Sequence, residues 1–293
     1  MKKKRDIVAT IVFAVIFLVG LSVMLYPTFA NWWNQRHQTR AIANYKETVA
    51  QMDNSEAERM LAEAHEYNEK LAELDFPLTQ FDQIEGYEDV LDISGSGIMG
   101  FISIPAIRVE LPIYHGTSEG VLQIASGHIQ GSSLPVGGAN THAVISGHRG
   151  LPSAKLFSDL DQMVEGDIFT INVLNEVLTY EVEKILIILP SQTEYLDIIP
   201  DSDYVTLMTC TPYGINTHRL LIRAHRIDTI YHKTVKVSAD ALQIDTMTVI
   251  PIVLIPLLML LAVYWNISGK MKKKHRIDKY TIDKLTRKKG GGD

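Results

Sequence analysis

The chain has 293 residues, of which 46% are hydrophobic and 21% charged, with one cysteine, Cys210, and a formal net charge of −6. One cysteine excludes an intramolecular disulfide framework and any multi-cysteine zinc site. Four of the 28 Lys and Arg are Lys2, Lys3, Lys4 and Arg5, and ten lie in residues 270–289, which leaves 14 in residues 27–246 beside 30 of the 34 acidic residues. That middle carries −16, and an acidic body between basic ends argues against a nucleic-acid-binding domain.

In chain order, a basic tail at residues 1–6 precedes residues 7–26, which carry no charge and are long enough to cross the hydrocarbon core as a helix. A cleaved secretory signal would have a shorter apolar stretch of about 7–15 residues, so the run is read as an uncleaved anchor. A second uncharged run covers residues 249–267, with Tyr264 and Trp265 placed for an aromatic belt and the basic tail 268–293 behind it. Both basic clusters flank the runs on their outer sides. The positive-inside bias therefore predicts two membrane passes, both termini cytoplasmic and one extracytoplasmic domain between them.

Residues 28–74 lack Gly and Pro and are rich in Ala, Glu, Gln and Asn. Met60, Leu61, Ala64, Tyr67, Leu71 and Leu74 recur at three- and four-residue steps, a helical stripe that predicts one or two packed helices. From Ile98 onward the pattern becomes short β-type runs at 99–105, 109–116, 142–148, 167–174, 177–188, 204–210 and 218–227. Within 167–174, Phe169, Ile171 and Val173 alternate with Ile168, Thr170 and Asn172. Seven or eight such runs, with one short helix expected at 153–163, predict a mostly β domain, a closed barrel or a sandwich. The boundaries read as a helical region at 27–97, a β domain at 98–232 and a linker at 233–248.

Three residues carry the expected chemistry. Cys210 ends a strand run and precedes the turn residues Thr211, Pro212, Tyr213 and Gly214. A lone cysteine is commonly a buried small hydrophobe, but an unpaired thiol outside the cytoplasm is a liability unless it is used or protected. Arg219 lies nine residues on. If the two strands form a hairpin, it faces Cys210 across the loop, where a guanidinium stabilises a thiolate and an oxyanion. Arg223 and Arg226 compete for that role. His148, between Gly147 and Gly150 after a strand, suits a general acid and base. His128, His142, His218 and His225 are its rivals.

Taken together these residues resemble a known family. Thr206-Leu207-Met208-Thr209-Cys210 resembles the T-L-x-T-C signature of sortases, and His148 and Arg219 match the other members of their catalytic triad. The stretches Leu111-Pro-Ile-Tyr-His-Gly116, Gly131-Ser-Ser-Leu-Pro-Val-Gly-Gly138, Ser146-Gly-His-Arg-Gly-Leu-Pro-Ser153 and Thr209-Cys-Thr-Pro-Tyr-Gly-Ile-Asn-Thr-His-Arg219 are similar to the pilin-polymerising class C. The resemblance implies a sortase β-barrel of about eight strands with N-terminal helices between two transmembrane helices. It also implies a cysteine transpeptidase that cleaves an LPXTG-like sorting signal through a thioester on Cys210. His148 moves the proton, Arg219 holds the oxyanion, and pilin subunits with acceptor lysines are the partners in a Gram-positive envelope. No cofactor, metal or nucleic acid is implied, in keeping with the lack of a P-loop or dinucleotide fingerprint. The alternatives are a housekeeping sortase acting on a cell-wall precursor, L,D-transpeptidase-like cysteine chemistry on peptidoglycan, and a non-catalytic assembly scaffold. One feature departs from the class: many members carry an Asp-Pro-aromatic lid motif, and none of the 11 prolines here follows an aspartate. Asp75-Phe76-Pro77 and Gly86-Tyr87-Glu88-Asp89 offer the residue types in other orders, so a less occluded site is expected.

Overall fold

A computed structural model describes residues 2–229, with side chains from residue 10 onward, together with residue 258. The expected linker and basic C-terminal tail lie outside the described residues, as does all but one residue of the second apolar run.

The N-terminal apolar run and the first polar helix are one element, α1 (Lys2–Gln51), which runs through Pro27. Its apolar part has a mean hydropathy of 2.3 over 18 residues, none of which is buried among the described residues. This is one helix long and apolar enough to cross a membrane. Farther along, Ile42, Tyr45 and Val49 are buried against the body of the protein. The polar helix α2 (Asn54–Ala72) buries Ala57, Met60, Ala64, Tyr67, Asn68 and Leu71, while Leu61 and Leu74 pack at the margin. The apolar stripe is therefore the packed face, and the carboxamide of Asn68 is satisfied by both the N–H and the C=O of Leu134.

Eight strands close into a barrel in the order β1-β2-β3-β4-β7-β8-β6-β5. They are β1 (Ile98–Ile104), β2 (Val109–Tyr114), β3 (Ser126–His128), β4 (Thr141–Ser146), β5 (Ile168–Val173), β6 (Glu176–Ile188), β7 (Asp203–Thr211) and β8 (His218–Ile227). Closure leaves no free sheet edge, which removes a template for aggregation. Pairs β2/β3 and β4/β7 are parallel and the rest antiparallel. The alternation in β5 is realised: Phe169, Ile171 and Val173 are fully buried and the intervening residues face outward. At about 1.5–3 kcal/mol for each large apolar side chain removed from water, this interior is the main stabilising term.

The helix expected at 153–163 does not form. Apart from a single 3-10 turn, Leu160–Gln162, the segment is a succession of turns. Its backbone donors go elsewhere: the N–H of Lys155 bonds Asn31 Oδ1 at 2.9 Å and that of Phe157 bonds the His148 carbonyl at 3.1 Å. Leu156 also takes a positive φ of 38°. Its apolar residues Ala154, Leu156, Phe157, Leu160 and Met163 are nevertheless core residues, buried without forming a helix.

Candidate active site

Strands β7 and β8 are antiparallel neighbours, and their register pairs Cys210 with Arg219, Met208 with Leu221, Thr206 with Arg223 and Tyr204 with His225. Directly opposed residues project to the same side of a sheet. Val205 and Leu207 belong to the barrel core, so Cys210 and Arg219 stand on the outer face. On the other flank of β7, β4 runs parallel in a register that pairs Val144 with Thr206 and Ser146 with Met208. The contact continues past the strand end, where the N–H of Gly147 bonds the Met208 carbonyl at 3.1 Å and Thr209 Oγ1 donates to the Gly147 carbonyl at 2.7 Å. His148 therefore follows β4 as Cys210 ends β7. All three expected site residues gather at one end of three adjacent strands.

The rival histidines are accounted for. His128 is fully buried, with Nε2 facing the Ser133 carbonyl at 2.8 Å and Nδ1 facing the Tyr87 hydroxyl at 2.9 Å. A carbonyl only accepts, so Nε2 carries the proton and the ring is neutral. Burial pushes its pKa down to about 4. His142 is held likewise between the Asp197 carbonyl and Thr206 Oγ1, and burial lowers it to about 4. His218 pairs with Thr211 and so lies on the face opposite Cys210. His225 is six residues along β8 from Arg219, about 20 Å at strand rise, beside Glu183. His148 is instead half-exposed, with Nε2 4.0 Å from Glu119 Oε2.

The three arginines of β8 also separate. Arg223 is held by Glu183, with Nε at 2.8 Å, and Arg226 lies 3.8 Å from Asp203 over the Tyr180 ring. The Arg219 guanidinium instead donates to the backbone carbonyls of Asn216 and His218, at 3.3 and 3.1 Å. Among the described residues it forms no ion pair with a carboxylate, which leaves its charge for an incoming anion. Cys210 is a free, half-exposed thiol.

One residue that sequence reasoning left without a role ties the site together. Arg149 donates to Thr211 Oγ1 at 3.2 Å, ion-pairs with Asp161 and lies 5.9 Å over the Tyr213 ring. It thus fastens the segment after His148 to the segment after Cys210. The flanking glycines permit that approach. A Cβ on Gly147 would sit 2.7 Å from the Phe157 ring, and Gly150 has φ +78° with the Tyr213 ring 2.9 Å from its Cβ position. Its adjacency to His148 was the available signal, but its partners are all distant in sequence.

Below the Cys210/Arg219 pair the outer face is apolar. Val144, Ile188, Leu196 and Leu221 are buried there, with Met208, Leu186, Tyr195 and Ile129 at the margin. Leu78, from the short helix α3 (Pro77–Gln80), packs on this shelf. Of the possible lid residues, Phe76 is exposed, whereas Tyr87 is a buried anchor whose hydroxyl accepts from the Gly116 N–H at 2.9 Å. Two cavities of about 270 and 200 Å³ lie along α1 instead, and neither is lined by Cys210, His148 or Arg219. The first is apolar space under Tyr45 and Val49 without the cysteine chemistry, so the functional candidate is the strand end that carries Cys210, Arg219 and His148, beside the apolar cluster that Leu78 covers.

A thiol, a histidine and an arginine without a carboxylate partner among the described residues, at one end of a closed eight-stranded barrel, are a candidate for cysteine acyl transfer. Residues 102–227 match the sortase domain family model. The chain is 47% identical to the crystal structure of sortase C1 from Streptococcus agalactiae, covering 65% of this chain and 100% of that one, with a TM-score of 0.62. Against sortase C of Streptococcus pneumoniae the identity is 44%, with 65% and 97% covered and a TM-score of 0.59. It is also 31% identical over 130 residues to Sortase A of Streptococcus agalactiae, 43% of this chain and 52% of that protein, so the match spans about half of that curated relative. The chain belongs to the sortase family, and its structural neighbours are sortases of class C.

Proposed function

We propose that this protein is a class C sortase that joins pilin subunits by transpeptidation at Cys210, His148 and Arg219. The observation that carries the reading is the placement of Cys210 opposite Arg219 in register, with His148 at the end of the adjoining strand β4. The Cys210 thiolate attacks the threonine carbonyl carbon of an LPXTG-like signal, and Arg219 donates hydrogen bonds to the oxyanion. The carbon–nitrogen bond to glycine breaks as His148, as imidazolium, gives its proton to the departing amine. A thioester remains. A lysine ε-amine of the next subunit then attacks it, His148 takes the proton, the thiolate leaves, and an isopeptide bond is formed. The thioester retains much of the peptide bond's free energy, so neither ATP nor a cofactor is needed.

The partly buried apolar margin of this cluster, Met208 and Tyr195, suits the leucine and proline of such a signal. Support for class C over a housekeeping enzyme comes from the identities: 47% and 44% to class C structures, against 31% to a Sortase A. The pneumococcal relative is one whose structure bears on pilin substrate specificity. The reading includes a plasma-membrane protein of two passes, with spans at 7–26 and 249–267, the barrel domain at 98–232 outside and both termini inside. Incubation with a sorting-signal peptide, followed by intact-mass spectrometry, tests the step. An acyl adduct on Cys210 that is absent from Cys210→Ala is the expected result, and a fully active Cys210→Ala protein would contradict it.

A further inference from the structure

Helix α1 is continuous from the apolar span into the barrel domain, and its contacts fix which end of the barrel lies toward the bilayer. Asn31 and Asn34 tie it by hydrogen bonds to the body of the protein. Asn31 Oδ1 accepts from the Lys155 N–H and Asn34 Nδ2 donates to the Ser153 carbonyl, both at 2.9 Å. These residues are five and eight positions past Tyr26, or about 8 and 12 Å at helical rise. The polar headgroup layer beyond the hydrocarbon is about 5–8 Å deep on each side. The turn 150–155 is therefore held at the outer edge of the headgroups. Phe29, Trp32 and Trp33 are exposed on α1 at the same level, and Arg36 lies 5.6 Å over the Trp32 ring, an arrangement expected of an interfacial belt.

The segment after Cys210 is attached to that turn through Gly150 and Arg149, which meet the Tyr213 ring. Its two large side chains, Tyr213 and Ile215, are 63% and 67% exposed although the loop is uncharged. The chain segments that build this edge carry no acidic residue of their own. Residues 7–46, 149–156 and 210–219 contain no Asp or Glu, while residues 27–246 hold 30. Carboxylates from other segments reach this edge, where Asp161 and Asp159 pair with Arg149 and Lys155 and Glu119 lies 4.0 Å from His148.

We propose that the catalytic end of the barrel rests on the outer surface of the bilayer that α1 crosses, with Tyr213 and Ile215 entering the headgroup layer. The inference rests on reading α1 as a retained anchor. Its occupant is the lipid surface itself, fixed by continuity with the anchor, by the exposed aromatic belt on α1 and by the exposed apolar side chains of an uncharged loop at the same level. The consequence is a site set at a constant, small height above the membrane, matched to a cleavage point a short distance from a substrate's own anchor.

The test uses the full chain in nanodiscs containing phosphatidylglycerol. Cys210→Ser removes the lone thiol, and single cysteines at Ile215, Tyr213, Asn175 and Phe17 take an environment-sensitive fluorophore. Asn175 lies beside Ala50, about 28 Å farther along α1 than Asn31. Headgroup-labelled nitroxide lipid should remove about half of the emission at positions 215 and 213 and leave position 175 unchanged, given interfacial burial of about 5–10 Å. Mid-chain nitroxide lipid should quench position 17. If position 17 is unquenched, the anchor reading fails and this inference with it. If position 17 is quenched but 215 and 213 match 175, the inference alone is overturned. Emission at 215 that responds only to added sorting-signal peptide overturns it as well, assigning the loop to substrate.

Discussion

Cys210 and Arg219 are register partners across the β7/β8 hairpin, on the face of the barrel wall turned away from its core. This places a cation on the same face as the thiol without a carboxylate partner among the described residues, since Arg219 is held by the Asn216 and His218 carbonyls. Removing one preorganised oxyanion donor costs about 10²–10³ in turnover, and Arg219→Ala should fall by that amount, with Arg219→Lys recovering only part because a point charge lacks the planar fork. Peptide cleavage kinetics check this. Unchanged turnover in Arg219→Ala would remove the residue from the mechanism.

Arg149 should behave as a positioning residue. It bridges Thr211, Asp161 and the Tyr213 ring, and so holds the His148 and Cys210 segments together. Misplacement by about 1 Å costs roughly 10²-fold, so Arg149→Ala should lower kcat by about 10–100-fold with little change in KM. Thiol labelling of Cys210 should persist in that variant. A rise in KM alone would assign Arg149 to substrate binding.

Acid stability follows from two buried histidines. His128 and His142 are both lowered to about 4 by burial, against an ordinary value of 6.5. The folded state therefore resists protonation that the unfolded chain accepts. Their contribution is complete above pH 6.5 and is lost as pH falls from 6.5 toward 4. Unfolding midpoints across that range should drop steeply in the native sequence and less steeply in His142→Gln. A pH-independent midpoint would contradict the neutral, buried assignment.

Tyr87 anchors the segment between α2 and β1. Its hydroxyl meets His128 Nδ1 and the Gly116 N–H, both at 2.9 Å. Tyr87→Phe leaves the buried His128 Nδ1 and the half-buried Gly116 N–H without this partner and should cost about 1–3 kcal/mol in denaturant unfolding. Phe76 is exposed, and Phe76→Ala should change peptide turnover by no more than about twofold, as expected for surface substitutions. A tenfold gain would show that Phe76 occludes Cys210.

The sequence was most informative where pattern and packing coincide. The period-two alternation of Phe169, Ile171 and Val173 is the buried face of β5, and the α2 stripe is its core face. The Cys210/Arg219 relationship was legible because a hairpin makes nine residues of separation local. Strand β3 was not legible: Ser126-Gly127-His128 has little β propensity, and it is held by buried hydrogen bonds from Ser126 to the Pro112 carbonyl and from His128 to Ser133. Arg149 was missed for a related reason, since Thr211, Asp161 and Tyr213 become its neighbours only when the barrel closes. The continuity of α1 was hidden by Pro27, which ordinarily marks a helix start or break.

The central claim is tested most directly by reconstituting the full-length protein in membranes with a pilin substrate that carries a sorting signal. The account predicts a ladder of covalent oligomers joined by threonine-to-lysine isopeptide bonds, absent in Cys210→Ala and in His148→Ala. A ladder formed by the Cys210→Ala protein, or an acyl-enzyme that transfers only to a cell-wall precursor amine, would contradict it.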